Sequence, residues 1–401
     1  MTDTMSIESL MIRPLRICIY VQHLLGTGHL VRMMTLAETL SEFGHEVTLL
    51  SGGFYHTRES VDYRFHSLPP LRAAADRFDV LLDENGDAVD ERFKMRRVGE
   101  LLGIVEDSHP DVVLIETFPF GRRQMEFELV PLLELTKSMN PSPIVLSSIR
   151  DILQKRKAKR YPETLAKLQR WFDGVIVHGD PCLVPLSASF PLANEITNLH
   201  YSGYLTHGGA HKRSAEQQVG QGEVIVSAGG GAVGTELLVN AIHAKSLSSL
   251  SDRIWRILVG QNAQEEAQAV LSRIGVDNVI IEPNRPDFFN LLQGCRLSIS
   301  QAGYNTCMDI LAANPRAVLV PFGHHGETEQ LQRAQIFQEK GLAWMVEETT
   351  LMPATLAEGI EQALAMPPPP SLEINREGAV NTAKIIYDLW QKPSGYASGE
   401  H

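Results

Sequence analysis

The chain has 401 residues, more than the roughly 250–300 at which a single hydrophobic core stops growing, so two domains are expected. Its 48 acidic side chains outnumber 36 basic ones, and the net charge of −12 argues against a general affinity for nucleic acid or anionic surfaces. The four cysteines, Cys18, Cys182, Cys295 and Cys307, show no C-x-x-C spacing, which leaves neither a disulfide framework nor a zinc site.

Asp3 and Glu8 precede the first apolar run, and no run approaches the roughly eighteen residues of a membrane span, so a cytoplasmic chain is expected. The first half carries short β-branched runs at "RICIYV" (16–21), "HEVTLL" (45–50), "DVVLIE" (111–116), "PIVLSS" (143–148) and "GVIVHG" (174–179), which read as buried strands. Between the first two, Leu30, Met33, Met34, Ala37 and Leu40 recur at helical spacing, giving a βαβ unit. "VLLDENGD" (80–87) reads as an acidic turn, and it is the one candidate for a metal-holding Asp-x-Asp after a strand. "RDILQKRKAKR" (150–160) sets six basic residues against one Asp, as a solvated helix face or a surface for anionic lipid.

The second half repeats the grammar at "GEVIVSA" (222–228), "IWRILVG" (254–260), "DNVIIEP" (277–283), "CRLSIS" (295–300) and "AVLVPF" (317–322). Strands alternating with helices predict an α/β chain of two doubly wound, Rossmann-like domains. The expected division is a first domain over 1–204, a linker over 205–221 rich in Gly, Gln and charge, and a second domain over 222–370. After "MPPPP" a last amphipathic helix is expected within 371–392, able to pack on either domain, followed by a frayed tail over 393–401.

Ligands of open α/β sheets bind beyond the carboxyl ends of the strands, so the turns after each run carry the functional signal. After the first strand, Gly26, Thr27 and Gly28 lead into His29 at a helix start. After "VIVSA", Gly229, Gly230 and Gly231 form a glycine loop, and with Gly234 they spell G-x-G-x-x-G. A dinucleotide site would add an acidic residue after the next strand. Gly260, Gln261 and Asn262 stand there instead, and Ser51, Gly52 and Gly53 in the first half, so a dehydrogenase is disfavoured and a phosphate loop remains. In "SQAGYNTCMDIL" (300–311), Thr306 and Asp309 have capping-box spacing, worth roughly 1 kcal/mol and no ligand. The alternative sets a pyrophosphate on the N–H groups near Gly303–Thr306, with Asp309 accepting from ribose hydroxyls. In "PFGHHGETEQLQRA" (321–334), Glu329 and Gln330 suit either a helix first turn or sugar hydroxyls.

Together, "GTGH" (26–29), "SAGGG" (227–231), "YSGY" (201–204), "SQAGYNTCMD" and "PFGHHGETEQ" resemble the GT-B glycosyltransferases, in particular the MurG-like branch with its family 28 C-terminal domain. The resemblance implies two domains facing each other across a cleft and a nucleotide-diphosphate sugar donor, UDP-linked in this branch, held by the second domain. Its donor-binding positions correspond to Gly229, Gly230, Gly231, Gln301, Ala302, Gly303, Asn305, Thr306, Asp309, His325, Glu329 and Gln330. It implies transfer to a hydroxyl acceptor, lipid-linked or glycan, with inversion, no metal and no cofactor, in the cytoplasm or at the inner face of the membrane with peripheral contact. A nucleotide-sugar hydrolase or 2-epimerase of the same fold, or a non-catalytic sugar-nucleotide-binding subunit, are the rival readings. Three positions depart from the family pattern: Asp309 stands for Glu, Gln301 for a basic residue, and Glu329 with Gln330 for a Gln pair. "ETFPFGRR" (116–123) lies outside the pattern. His29 is the first choice of general base, because a helix N-terminus keeps an imidazole neutral, and Glu116 the second. Gly26, Thr27, Gly28, Arg150, Asp151 and His178 are expected on the acceptor side.

Overall fold

A computed structural model describes residues 13–24, 28–54, 62–74, 80–205, 219–228, 234–260, 277–285, 287–323 and 328–392. Of the positions singled out above, Gly26, Thr27, Gly229, Gly230, Gly231 and His325 lie outside the described residues, as do linker residues 206–218 and the tail from 393. The chain divides into two compact units, Met1–Leu205 with Asn375–His401, and Thr206–Ile374.

In unit 1 the order is β1 (Arg16–Val21), α1 (Gly28–Glu42), β2 (Glu46–Ser51), β3 (Arg64–Ser67), β4 (Arg72–Ala73), β5 (Leu81–Leu82), α2 (Glu91–Ser108), β6 (Val112–Glu116), α3 (Glu126–Ser138), β7 (Ile144–Arg150), α4 (Arg160–Trp171), β8 (Gly174–His178) and β9 (Leu199–Tyr201). β4 and β5 form a small antiparallel pair, and the other strands form one parallel sheet ordered β3-β2-β1-β6-β7-β8-β9. The pleat sorts the core. Ile17, Ile19 and Val21 face a cluster with Leu30, Met33, Leu36, Ala37 and Leu40 of α1. Cys18 and Tyr20 face the opposite cluster, with Leu101 and Val105 of α2 and Leu129, Leu132 and Leu133 of α3.

Unit 2 runs β10 (Val224–Ser227), α5 (Thr235–Lys245), β11 (Trp255–Val259), β12 (Val279–Pro283), α6 (Phe288–Gly294), β13 (Leu297–Ser300), α7 (Tyr304–Ala313), β14 (Ala317–Leu319), α8 (Glu329–Glu339), β15 (Trp344–Met345) and α9 (Pro353–Ala365). Its sheet, ordered β12-β11-β10-β13-β14-β15, is parallel throughout. Val224, Val226, Trp255 and Ile257 pack with Leu237 and Leu238 of α5 and Leu356 and Ile360 of α9.

The expected doubly wound α/β class is what the chain adopts. The last helix, α10 (Gly378–Gln391), completes unit 1: Ala383, Ile386, Tyr387 and Leu389 enter the same cluster as α1. The return is tied by Asn375 N–H to Asp180 Oδ2 (2.9 Å) and Tyr204 N–H to the Asn375 carbonyl (2.8 Å). Among the described residues no helix is long and apolar enough to cross a membrane.

Candidate functional site

Each sheet reverses its winding at one point, between β1 and β6 in unit 1 and between β10 and β13 in unit 2. The crevice at the strand carboxyl ends there is where open α/β sheets bind ligands. The sequence turns singled out above flank both points.

At the unit 1 point, His29 opens α1 and Glu116 ends β6, 2.6 Å apart through Nδ1 and Oε1. Arg32, one turn along α1, donates to the same Oε1 at 2.5 Å, and the Thr117 hydroxyl donates to Oε2 at 2.6 Å. Burial would push a carboxyl up, but His29, Arg32 and Arg122 outweigh it and hold Glu116 well below its ordinary range. The His29 side chain keeps 16% of its surface exposed, and burial lowers its pKa to about 3, so the ring is neutral at pH 7. With Glu116 ionised, Nδ1 carries the proton and donates it, and Nε2 keeps the lone pair. Glu116, fully buried and accepting three donors, is thus an orienting group; the geometry speaks against its use as the base. Its cationic hydrogen-bond partner is Arg32, a residue that sequence reasoning passed over as one more polar position on an amphipathic helix.

Two expected acceptor-side residues, His178 and Asp151, are turned elsewhere. His178 is fully buried, with Nε2 2.7 Å from Ser148 Oγ and Nδ1 2.9 Å from Ser202 Oγ, and burial lowers its pKa to about 3. It links strand ends inside the core. Asp151 accepts from the Ile152 N–H (2.9 Å) and the Tyr204 hydroxyl (3.4 Å), and Asp180 from the N–H groups of Cys182 and Asn375. Arg150, at the end of β7, is half-buried and acts electrostatically on both His29 and Arg122. The basic stretch 150–160 leads into α4 as a loop, not as a solvated helix face.

At the unit 2 point, α5 begins after Gly234, whose φ of 137° no side chain tolerates well and where a Cβ would lie 2.3 Å from that of Ala228. After β13, Gln301 and Ala302 are buried, and Gly303 is the N-cap of α7 with no side-chain cap. The expected Thr306–Asp309 capping box does not form: the helix starts at Tyr304, three residues earlier than that spacing requires. Open space surrounds the missing Cβ of Gly303. Asp309 is half-buried on α7 with no hydrogen-bond or ion-pair partner among the described residues, and burial raises its pKa to about 7.

Glu329 opens α8 but is buried in an ion pair with Arg333, 2.8 Å from Nη2. Arg333 also donates to the Ala302 carbonyl at 3.0 Å and lies 5.6 Å from the Tyr304 ring, so it clamps the start of α8 against the β13–α7 turn. Gln330 accepts the Phe322 N–H at 3.0 Å and holds the Pro-Phe loop. Of the expected sugar-hydroxyl pair, Glu329 is committed to the clamp and Gln330 retains its amide donors. Among the described residues no group of three His, Cys, Asp or Glu side chains is placed to hold a metal ion.

Residues 225–386, from β10 into α10, match the glycosyltransferase family 28 C-terminal domain. The UDP-N-acetylglucosamine–N-acetylmuramyl-(pentapeptide) pyrophosphoryl-undecaprenol N-acetylglucosamine transferase of Marinobacter nauticus is 31% identical over 142 residues, 35% of this chain and 39% of that protein. An uncharacterized glycosyltransferase of Methanopyrus kandleri is 25% identical over 163 residues, 41% of this chain and 44% of that one. The chain thus spans less than half the length of these curated relatives. Over the whole chain the fold matches MurG of Acinetobacter baumannii (TM-score 0.57, 16% identity, 94% of this chain and 99% of that one). It also matches the spinosyn rhamnosyltransferase SpnG complexed with thymidine diphosphate (TM-score 0.59, 15% identity, 93% and 96%). Residues 225–386 thus form a glycosyltransferase family 28 C-terminal domain, and the chain has the GT-B fold.

For this GT-B chain, Asp309 ties stability to pH. A carboxyl with a folded pKa near 7, above its ordinary 3.8, favours folding while protonated; that contribution is complete below about 3.8 and is lost as pH rises through about 7. Asp309→Asn is therefore expected to raise the unit 2 melting temperature at pH 8 and to change it little at pH 4. Thermal melts at both values check this.

Proposed function

We propose that the chain transfers a sugar from a nucleoside-diphosphate sugar, UDP-linked by resemblance, to a hydroxyl acceptor. The observation that carries this reading is the β13–α7 turn: a helix N-terminus with no side-chain cap at the switch point, inside the family 28 domain, with a carboxyl in its second turn that has no partner among the described residues. Backbone N–H groups and the helix dipole stabilise the donor's diphosphate, more strongly as it leaves with developing charge, and need no metal to do so. Asp309 accepts hydrogen bonds from ribose hydroxyls, and Gln330 donates to the sugar. In unit 1, His29 Nε2 takes the acceptor proton as the oxygen attacks the anomeric carbon, while Glu116 fixes the tautomer and stabilises the imidazolium that forms. Direct attack by the acceptor inverts that carbon. The relatives named for a lipid-linked acceptor support an acceptor of that kind and a place at a membrane surface in cell-envelope synthesis.

The test is release of nucleoside diphosphate from a panel of UDP-, dTDP- and GDP-sugars, with and without lipid-linked and glycan acceptors. Acceptor-dependent release supports transfer; release at the same rate without acceptor points to hydrolysis. Asp309→Ala is expected to weaken nucleoside diphosphate binding by about 1.5–3 kcal/mol, the weight of charge-assisted hydrogen bonds, measured by calorimetry. Unchanged affinity would remove Asp309 from the donor site.

A further inference from the structure

We propose that unit 1 carries, beside His29, a subsite for a phosphate or carboxylate borne by the acceptor, built by Arg122 and Arg156. It rests on the reading of this sheet end as the acceptor side.

The turn after Glu116 is bent at a cost. Thr117, a β-branched residue, has φ 69° and Arg122 has φ 61°, the left-handed region that such side chains avoid. The turn is closed by Thr117 N–H to the Ser148 carbonyl (2.7 Å) and Gly121 N–H to the Thr117 carbonyl (2.8 Å). Only glycine fits at 121, where a Cβ would lie 2.3 Å from Thr117 Cγ2. The bend brings Arg122 back to the end of β1, where its Nε donates to the Gln22 carbonyl at 2.7 Å. Its two terminal nitrogens have no hydrogen-bond or ion-pair acceptor among the described residues.

Arg156 arrives from the basic loop. Lys155, Lys157 and Lys159 are exposed, whereas Arg156 is half-buried, its Nη2 3.6 Å from where a Cβ of Gly121 would be. Its guanidinium likewise has no hydrogen-bond or ion-pair partner among the described residues. Arg156 feels the charges of Arg160 and Arg122, Arg122 feels those of Arg150 and Arg32, and burial lowers both pKa values. Glu116, the carboxylate that counters Arg122, is already engaged by His29, Arg32 and Thr117. Two half-buried guanidiniums, the second reaching the residue next to the first, are unfavourable alone and are stabilised by an anion that takes both forks.

The experiment titrates the full chain, saturated with UDP so that unit 2 is occupied, with inorganic phosphate by calorimetry. Arg122→Met and Arg156→Met are expected to weaken phosphate binding about tenfold or more, the weight of one charge-assisted hydrogen bond, with Lys157→Met and UDP affinity unaffected. Arg122→Lys, which keeps the charge and loses the fork, should recover part of the loss. Sedimentation with phosphatidylglycerol vesicles separates the sources: loss of phosphate binding alone assigns a soluble acceptor, and loss of vesicle binding as well assigns a lipid-borne one. Phosphate and vesicle binding equal in the Met variants and the unsubstituted chain would overturn the subsite. Failure of the unsubstituted chain to bind UDP would instead strike the transferase reading, and the phosphate titration would still decide this one.

Discussion

His29→Ala is expected to lower turnover by about 10²–10⁴, the usual weight of a general base, while nucleoside diphosphate affinity stays unchanged. The reason lies in the placement of one proton. Glu116 is ionised and fully buried, so Nδ1–H donates to it at 2.6 Å and the basic lone pair is confined to Nε2. Glu116→Gln, which removes the charge and leaves the ring position, should fall between the two enzymes. The pH profile separates this from a structural role. With the His29 pKa lowered to about 3 by burial, kcat/KM should run flat from pH 8 to pH 5, whereas an unperturbed imidazole would bring a limb near 6.5. The same shift is a stability effect of known sign. The unfolded chain takes up the proton below about 6.5 and the folded one only near 3, so stability is lost as pH is lowered from about 6.5 to about 3, and His29→Ala should flatten the slope.

Arg97→Met is expected to destabilise unit 1 by about 3–5 kcal/mol, because it strands a buried carboxylate. Arg97 and Glu128 are both fully buried, joined by Nε to Oε2 at 2.5 Å and Nη2 to Oε1 at 3.0 Å. Tyr20, also buried, donates its hydroxyl to the same carboxylate, and Arg97 reaches the Gly52 and Pro69 carbonyls. Arg97 Nη2 donates to Gln22 Oε1 at 2.7 Å, and Gln22 lends its carbonyl to Arg122. The network thus fixes the end of β1 from beneath the site. In urea the two units should unfold separately, with the unit 1 midpoint alone shifted; Arg97→Met with Glu128→Gln should recover part of the loss, since no buried charge then remains unpaired. A unit 1 midpoint unmoved by Arg97→Met would show the pair to be dispensable.

The sheet strands that carry the site were legible because burial on both faces makes a parallel strand an unbroken apolar run, as in "RICIYV" and "DVVLIE". β3, with its half-exposed Arg64–Ser67, and β9 sit at sheet edges where no such run is required, and they left no signal. The turns were legible through their glycines and His29. What the residues did there was less so. The spacing of Thr306 and Asp309 suggested a capping box, but Gly303 starts the helix earlier and leaves both side chains to other work. His178 follows a strand as an acceptor-side residue would, yet two serines hold it inside, a pairing across 24 and 30 residues that no local pattern encodes. Arg32 and Arg333 were missed for the same reason: on a charged helix a buried arginine looks like an exposed one until its partners, Glu116 and the Ala302 carbonyl, are seen.

The most direct test of the central claim is calorimetric titration of the full chain with UDP, dTDP, GDP and CMP, each with and without Mg²⁺. Saturable binding of one nucleoside diphosphate is expected, independent of Mg²⁺ and weakened by Asp309→Ala. Binding of none of them, or binding that Asp309→Ala leaves untouched, would contradict a donor site at the β13–α7 turn.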